Sequence, residues 1–530
     1  MFYLQKVVMT QLVNPEFGAL RSLFWPIHRH ELKKMLPMLL MLFLICFNYT
    51  ILRNMKDAVV ITAAGAEILP FIKVWVLLPM AVVVTLIFTK ISNIFSQERV
   101  FYIMISAFLI FYALFAFLLY PLREVVEFNH SADYLQSLLP AGFKGMIAMY
   151  RHWLLTTFYV GAELWSTAIM SVLFWGFANE VTRIHEARRF YGTFGIASNF
   201  AAIAAGQLGI FCSQHMGFID NAWEKSVMML TTIVIISGII TMCTFRWVNR
   251  YVLVDPSFDD FHMNKREIKK KGRLTLRESF SYLSNSKYLI CIAILVVSYN
   301  LVINLVEVVW KDQLRYLYSS PKDYNTYINN LTSIQGVVST FAALFMAKFI
   351  SRFGWTCTAL VTPLTMLVTS AGFFCFMFFQ NHLSDTVIML TGTTPLAIAV
   401  FFGSAQNCLS KAAKYSFFDT TKEMAFIPLS HECKLKGKAA IDGVGSRLGK
   451  SGGSLIHQGL LMFFGNLVMS APYVASILLV VIIFWFVACR SLGRQFNDLV
   501  RSQETQQADQ APSEPAQTQP AVPKAIVVSG

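Results

Sequence analysis

Two pairs of cations sit at helical spacing within otherwise apolar stretches of this chain. Arg53 and Lys56 are three residues apart in "TILRNMKDAVVITAA", and Arg447 and Lys450 are three apart in "GKAAIDGVGSRLGKSGGS". Residues three apart on a helix share a face, so each pair presents two positive charges side by side. They repel one another unless something negative lies between them. A multiply charged phosphate fits that need, since Arg offers a bidentate fork and Lys a mobile point charge. Lys438, at the start of the second stretch, belongs to the same phosphate-binding set. Asp442 lies four residues beyond it, on its helical face. Glu163 in "GAELWS", Glu307 in "NLVEVVWKDQ", Asp442 and Lys311 are the candidates for gating or coupling, pairing with the opposite charge when the anion is absent. Lys73 and Lys311 carry a second reading: a long cationic side chain near a helix end can snorkel to the interface.

Composition says what must position these groups. Of the 530 residues, 55% are hydrophobic and only 14% charged, where a soluble protein carries about 25% charged. So much apolar surface belongs in a bilayer, which excludes a soluble enzyme, a secreted disulfide scaffold and a free nucleic-acid-binding domain. A charge at the bilayer centre costs about 2.5–3.5 kcal/mol or more, so those within spans face a partner or a cavity. Apolar segments long enough to cross the hydrocarbon fall near 35–55, 68–90, 100–120, 153–178, 191–212, 227–248, 286–310, 330–350, 355–379, 386–410, 439–464 and 469–489. The first ends near Arg53, Lys56 and Asp57, which places those charges at a helix end. Spans 153–178 and 439–464 hold enough polar residues to score poorly on hydropathy, as helices lining an aqueous path do.

The distribution of Lys and Arg sets the orientation. Basic residues concentrate in alternate segments, among them Arg183–Arg189, the run "KREIKKKGR" and Lys411–Lys438. By the positive-inside rule both termini are cytoplasmic. The net charge of +14 then reports topology, and the basic run is an orientation signal, not a nucleic-acid patch. No cleavable signal or plastid transit peptide opens the sequence, which points to a bacterial plasma membrane. Residues 1–34 form an amphipathic cytoplasmic lead-in, 249–285 a basic linker, and 491–530 a tail that is mostly disordered. The linker divides the spans into bundles at 35–248 and 286–490. Each half carries an Asn/Tyr pair in its first helix (Asn48-Tyr49 and Tyr299-Asn300) followed by an ionisable residue, Lys56 or Glu307. The fold implied is all-α and major-facilitator-like, with about twelve transmembrane helices in two six-helix bundles, acting as a monomer.

Other chemistries fail on spacing. "GSRLGKSGGS" leaves three residues between Gly445 and Gly449 where a phosphate-binding loop of the ATPase type needs four. Its glycines read better as close helix packing. The nine Cys include no C-x-x-C pair and lie almost entirely in apolar stretches, and the His residues lack metal-ligand spacing, so no metal or cofactor is expected. Tyr49, Trp165 and Asn300 are the candidates for holding a base. Trp153, Tyr159, Phe174, Trp175 and Tyr191 can stack too, but aromatic side chains in such a chain are more often lipid-facing or core.

Five segments together bring a family into view: "NYTILRNMKDAVVITAAGAEILPFIKVW", "GAELWSTAIMSVLFWGFANEVTRIHEARRFYGTFG", "NLVEVVWKDQL", "TKEMAFIPL" and "KGKAAIDGVGSRLGKSGGSLIHQGLL". They resemble the nucleotide transporters of the ATP/ADP translocase type, found in obligate intracellular bacteria and plastids. The likeness runs from about residue 25 to about 500. It implies import of host ATP against bacterial ADP, with nucleotide as cargo and no hydrolysis. Proton-coupled net import of nucleoside triphosphates is the alternative on the same fold. The family's functional Lys matches Lys56, its two functional Glu match Glu163 and Glu307, and its late Lys falls at Lys438 or Lys450. The sequence has "LRNMKD" where the family commonly has "LRDTKD", and "IDGVGSR" where "IDVV" is expected. Base preference and coupling mode stay open on these departures.

Overall fold

The computed structural model describes residues 27–182, 184–215, 222–253, 286–429, 437–438, 441 and 445–510. Asp442, most of the lead-in, nearly all of the basic linker and the chain beyond 510 lie outside the described residues. The described chain consists of helices and turns, with no strand.

Helix α1 spans Leu32–Ala64, nine residues past the expected end at 55. Every residue from Asn54 to Ile61 is buried, the polar Asn54, Lys56 and Asp57 included, and α1 packs against helices of both halves. Lys56 and Asp57 are therefore interior residues, about 12 Å from the helix end at 1.5 Å per residue. The expectation that they close the helix is corrected. At its other end, Glu31 and Lys34 bridge to Arg189 and Glu186. These acceptors and donors sit in the "HEARRFYG" block, and so fasten the chain's start to a later helix of the same half.

Helices α2 (Ile68–Ile94) and α3 (Gln97–Leu119) follow. The 120–152 connection, expected as a loop, holds the short helices α4 (Asn129–Leu138) and α5 (Lys144–Arg151). Then come α6 (Trp153–Val181), α7 (Ile184–His215) and α8 (Ala222–Val252), closing the first half. The second half opens with α9 (Lys287–Leu317) and the 58-residue α10 (Pro321–Phe378). Gly354, at φ +77°, breaks α10 between the two spans expected there. A side chain at that φ would be strained. The expected span at 386–410 is two helices, α11 (Gln380–Thr391) and α12 (Pro395–Ala413). Gly392 ends the first at φ +70°, Thr394 caps the second through the Ala397 amide at 3.3 Å, and Pro395 occupies the first turn. This is ordinary stop-and-start chemistry. Helix α13 is Ser446–Phe464, and α14 (Leu467–Gln510) continues well beyond 490, into the segment expected to be disordered.

Among the described residues nine helices are long and apolar enough to cross a membrane. Trp153–Val181 is one of them, contrary to expectation. The first part of α10, α11, α12 and α13 are not among them, and polar residues they carry turn inward, as with Asn329 and Thr332, Gln406 and Asn407, and His457 and Gln458.

The halves meet tightly at one end, that of Ala64, Ile68 and Phe464. Asn54 on α1 donates to Asn329 Oδ1 (2.9 Å) and Thr332 Oγ1 (3.2 Å) on α10. Gln207 of α7 donates to Ser333 (3.0 Å), and Asn325 donates to Ser213 (3.0 Å). Gly142, between α4 and α5, lies so close to α13 that an added Cβ would sit 2.5 Å from Met462 Cα. Trp75 and the Pro70 carbonyl of α2 hold the two ends of the Gln458 amide at 3.2 and 2.8 Å. Toward the opposite end α2 is loosely packed, with no residue of Leu78–Ile94 buried.

Candidate functional site

A cavity of about 710 Å³ lies between the halves, within the range of about 300–1,000 Å³ usual for small-molecule sites, and runs along α2 toward the loosely packed end. Its walls come from α1, α2, α6, α9, α10, α12 and α13. Three of these helices widen into π-type turns at the cavity: Ile72–Leu77 with Lys73, Ser166–Phe174 just after Glu163, and Lys414–Phe418 just after Lys411. Such turns frequently mark functional positions, and nothing in the residue types announced them.

An unbroken chain of ion pairs runs through the centre. Lys56 Nζ lies 2.9 Å from both Asp57 Oδ1 and Glu163 Oε1. Asp57 Oδ2 accepts from Lys311 at 2.8 Å, Lys311 reaches Glu307 Oε1 at 3.0 Å, and Glu307 Oε2 lies 3.5 Å from Lys73. Asp57, on α1 of the first half, thus joins Lys56 to a lysine of the second half. The Lys56 ammonium also stands 3.6 Å above the Tyr159 ring, a cation–π contact. Lys73 is steadied by Asn304 Oδ1 at 2.9 Å; the Asn304 amide in turn bonds the Lys450 carbonyl and, at 3.3 Å, Ser454 Oγ. The snorkelling reading of Lys73 and Lys311 is overturned, since both heads point inward. Lys311 is 3% exposed within α9.

Of the residues singled out from the sequence, Arg53, Lys56, Glu163, Glu307, Lys311, Arg447 and Lys450 all line this cavity, as do Tyr49 and Asn300. Their partners in the Asn/Tyr pairs face the other way. Asn48 bonds the Val234 carbonyl at 3.0 Å, and Tyr299 stacks on Phe418 with ring centroids 5.1 Å apart. Lys438 is outside the cavity, half-exposed and 2.5 Å from Glu423. Trp165 is not in the cavity either: its indole N–H donates to the Ile45 carbonyl at 3.2 Å, and its ring packs edge-on to Phe108. Trp165 stands two residues beyond Glu163 in sequence and points away from it, because positions two apart on a helix diverge by about 200°. Trp153, Phe174, Trp175 and Tyr191 also lie outside the lining, while Tyr159 forms part of it. Gly449 packs on α9, where an added Cβ would be 2.7 Å from Asn300 Cβ, in keeping with a packing role. Sequence reading missed Lys411, which lines the cavity with its ammonium on Asn407 Oδ1 at 2.7 Å. The i, i+4 Asn/Lys spacing was its one signal, hidden by its place among cytoplasmic basic residues.

A charge-lined hollow between two helical bundles suits a carrier of anions. A solved D-xylose-proton symporter superposes with a TM-score of 0.52 at 13% identity, covering 87% of this chain and 97% of that one, which shows a shared major-facilitator-like fold. ADP,ATP carrier protein 1 of Chlamydia pneumoniae is 45% identical over 514 residues, 95% of this chain and 100% of the relative. That of Rickettsia typhi is 39% identical, covering 92% and 98%, and the chloroplastic carrier 1 of Arabidopsis thaliana is 43% identical, covering 89% and 75%. The family model of the TLC ATP/ADP transporter matches residues 10–496. With a match across nearly its whole length, this chain belongs to the TLC ATP/ADP transporter family and is a multi-pass membrane transporter, not an enzyme.

Proposed function

We propose that this protein imports ATP in exchange for ADP across a bacterial plasma membrane by alternating access, working as a monomer with both termini in the cytoplasm. One observation carries the reading: the cavity gathers cations from both halves, is crossed by contacts between them at one end and runs along the unburied part of α2 toward the other, which we take as its open end. With the termini inside, the open end faces the cytoplasm. The bundles 35–248 and 286–490 rock about this site, and the nucleotide's phosphates meet Arg53, Lys450 and their neighbours. Closing the empty cavity over unpaired cations costs about 3–5 kcal/mol for each uncompensated charge, so return without cargo is disfavoured and exchange results. The ion pairs favour exchange over proton coupling, because Asp57, Glu163 and Glu307 are each held by lysine and none waits for a proton. In cells expressing the chain, internal ADP accelerates uptake of labelled ATP and a protonophore leaves the exchange running. Uptake abolished by the protonophore and indifferent to internal ADP would instead establish proton coupling.

Two further outcomes follow from the geometry. Lys450→Gln lowers kcat/KM for ATP by roughly tenfold or more, the worth of a charge-assisted hydrogen bond. Lys438→Gln stays within about twofold, since a surface ion pair contributes about 0–1 kcal/mol. Initial rates at matched membrane abundance check both. Gly142→Val pushes α13 away from the 120–152 connection and weakens the sealed end. An impermeant maleimide added outside then labels a cysteine placed at Thr167 faster than in the Gly142 background, and ATP uptake falls severalfold.

A further inference from the structure

The charges of the cavity divide into two sets. Asp57, Glu163 and Glu307 are matched, at 2.8–3.5 Å, by Lys56, Lys73 and Lys311. That set is neutral as it stands. Four cations remain: Arg53, Lys411, Arg447 and Lys450 all line the cavity, and among the described residues none has a carboxylate oxygen within 4.0 Å. They come from α1 of the first half and from α12 and α13 of the second. Among the described residues that line the cavity, seven cations and three carboxylates leave a net charge of +4, carried by the unpaired set.

A nucleoside triphosphate free of metal carries about four negative charges near neutral pH, since its terminal phosphate loses a second proton at a pKa of about 6. We propose that the site takes the magnesium-free, fully ionised nucleoside triphosphate, and that Arg53, Lys411, Arg447 and Lys450 are the side chains whose charge it balances. This rests on the exchange reading above and specifies the form of its cargo. Bound magnesium cancels two of the four charges and so leaves two cavity cations uncompensated in a low-dielectric site. Magnesium also keeps its waters and seeks carboxylate oxygens, and the three carboxylates here are already held by lysines. The paired set serves differently: it joins the halves through Asp57 and Lys311 and stays neutral whether or not the nucleotide is present. A diphosphate leaves one cation of the four unmatched, so removing one cation weakens ATP more than ADP.

The test uses the full-length chain reconstituted in vesicles loaded with ADP, with labelled ATP outside at fixed total concentration and magnesium varied at constant ionic strength. Initial rates are expected to follow the concentration of uncomplexed ATP and to fall as magnesium binds it. Rates that follow the magnesium complex, or ignore magnesium, overturn the proposal while leaving exchange intact. No uptake at any magnesium level, with the protein folded and inserted, counts against the exchange reading itself. Lys411→Gln then addresses the assignment: KM for ATP rises roughly tenfold, the loss of one charge-assisted contact, KM for ADP rises less, and Lys411→Arg restores the ratio. Unchanged KM values, or equal shifts for the two nucleotides, remove Lys411 from the set. Labelled ADP exchange against internal ADP confirms that the Lys411→Gln chain is folded and working.

Discussion

Replacing Lys56 with glutamine is expected to abolish ATP uptake. The Lys56 ammonium is 1% exposed and serves two carboxylates at 2.9 Å, Asp57 and Glu163, besides lying over Tyr159. Removing one member of a buried pair leaves the other charge unpaired, at a cost of about 3–5 kcal/mol, or on the order of a hundredfold or more in any equilibrium that depends on it. Both carboxylates line the cavity, so the freed negative charge also repels an anionic cargo. Uptake of labelled ATP at matched membrane abundance checks the loss. The double variant Lys56→Gln/Glu163→Gln removes a cation and a carboxylate together and is expected to recover part of the activity, which distinguishes charge imbalance from misfolding. Near-normal uptake by the single variant would take Lys56 out of the site.

The second large effect belongs to Asp57, which the sequence reading set at a helix end and which the structure puts at the centre of the ion pairs. Its two oxygens hold Lys56 at 2.9 Å and Lys311 at 2.8 Å, one lysine from each half. Asp57→Asn therefore deprives two buried cations of a partner at once and cuts the charged link between the bundles. Uptake is expected to fall by about a hundredfold or more, and the detergent-solubilised protein to unfold several degrees lower. Glu307→Gln loses less stability, because Lys311 keeps Asp57 and Lys73 keeps Asn304. Comparing the two variants in thermal unfolding and in uptake tests the order; an Asp57→Asn protein as stable and as active as the parent would show that the two halves do not depend on this bridge.

Much of the fold was legible in hydrophobic runs of crossing length, because a bilayer demands about twenty apolar residues per helix. Where the runs misled, the cause was local. The 386–410 segment looked continuous although Gly392, Thr394 and Pro395 end one helix and start another. Span 35–55 was cut short because Arg53, Lys56 and Asp57 look like an exit from lipid, whereas α1 is wrapped in protein through Ile61. The helices that fall short in hydropathy turn their Asn, Gln and Ser residues onto other helices, which a one-dimensional window does not distinguish from exposure to water.

For the site, residue types and spacing were enough to name the cation pairs Arg53/Lys56 and Arg447/Lys450, the carboxylates Glu163 and Glu307, and an anion as their counterpart, because isolated charge in hydrocarbon is too costly to carry without use. They were also enough to reveal the family. Only the tertiary structure separated Lys450 from Lys438, turned Trp165 away, brought in Lys411, and joined Lys56 to Lys311 through Asp57. The physical reason is that cost is a property of each residue and of its depth, readable along a line, whereas pairing depends on which faces of distant helices meet, and α1, α9, α12 and α13 meet only once the bundles are packed.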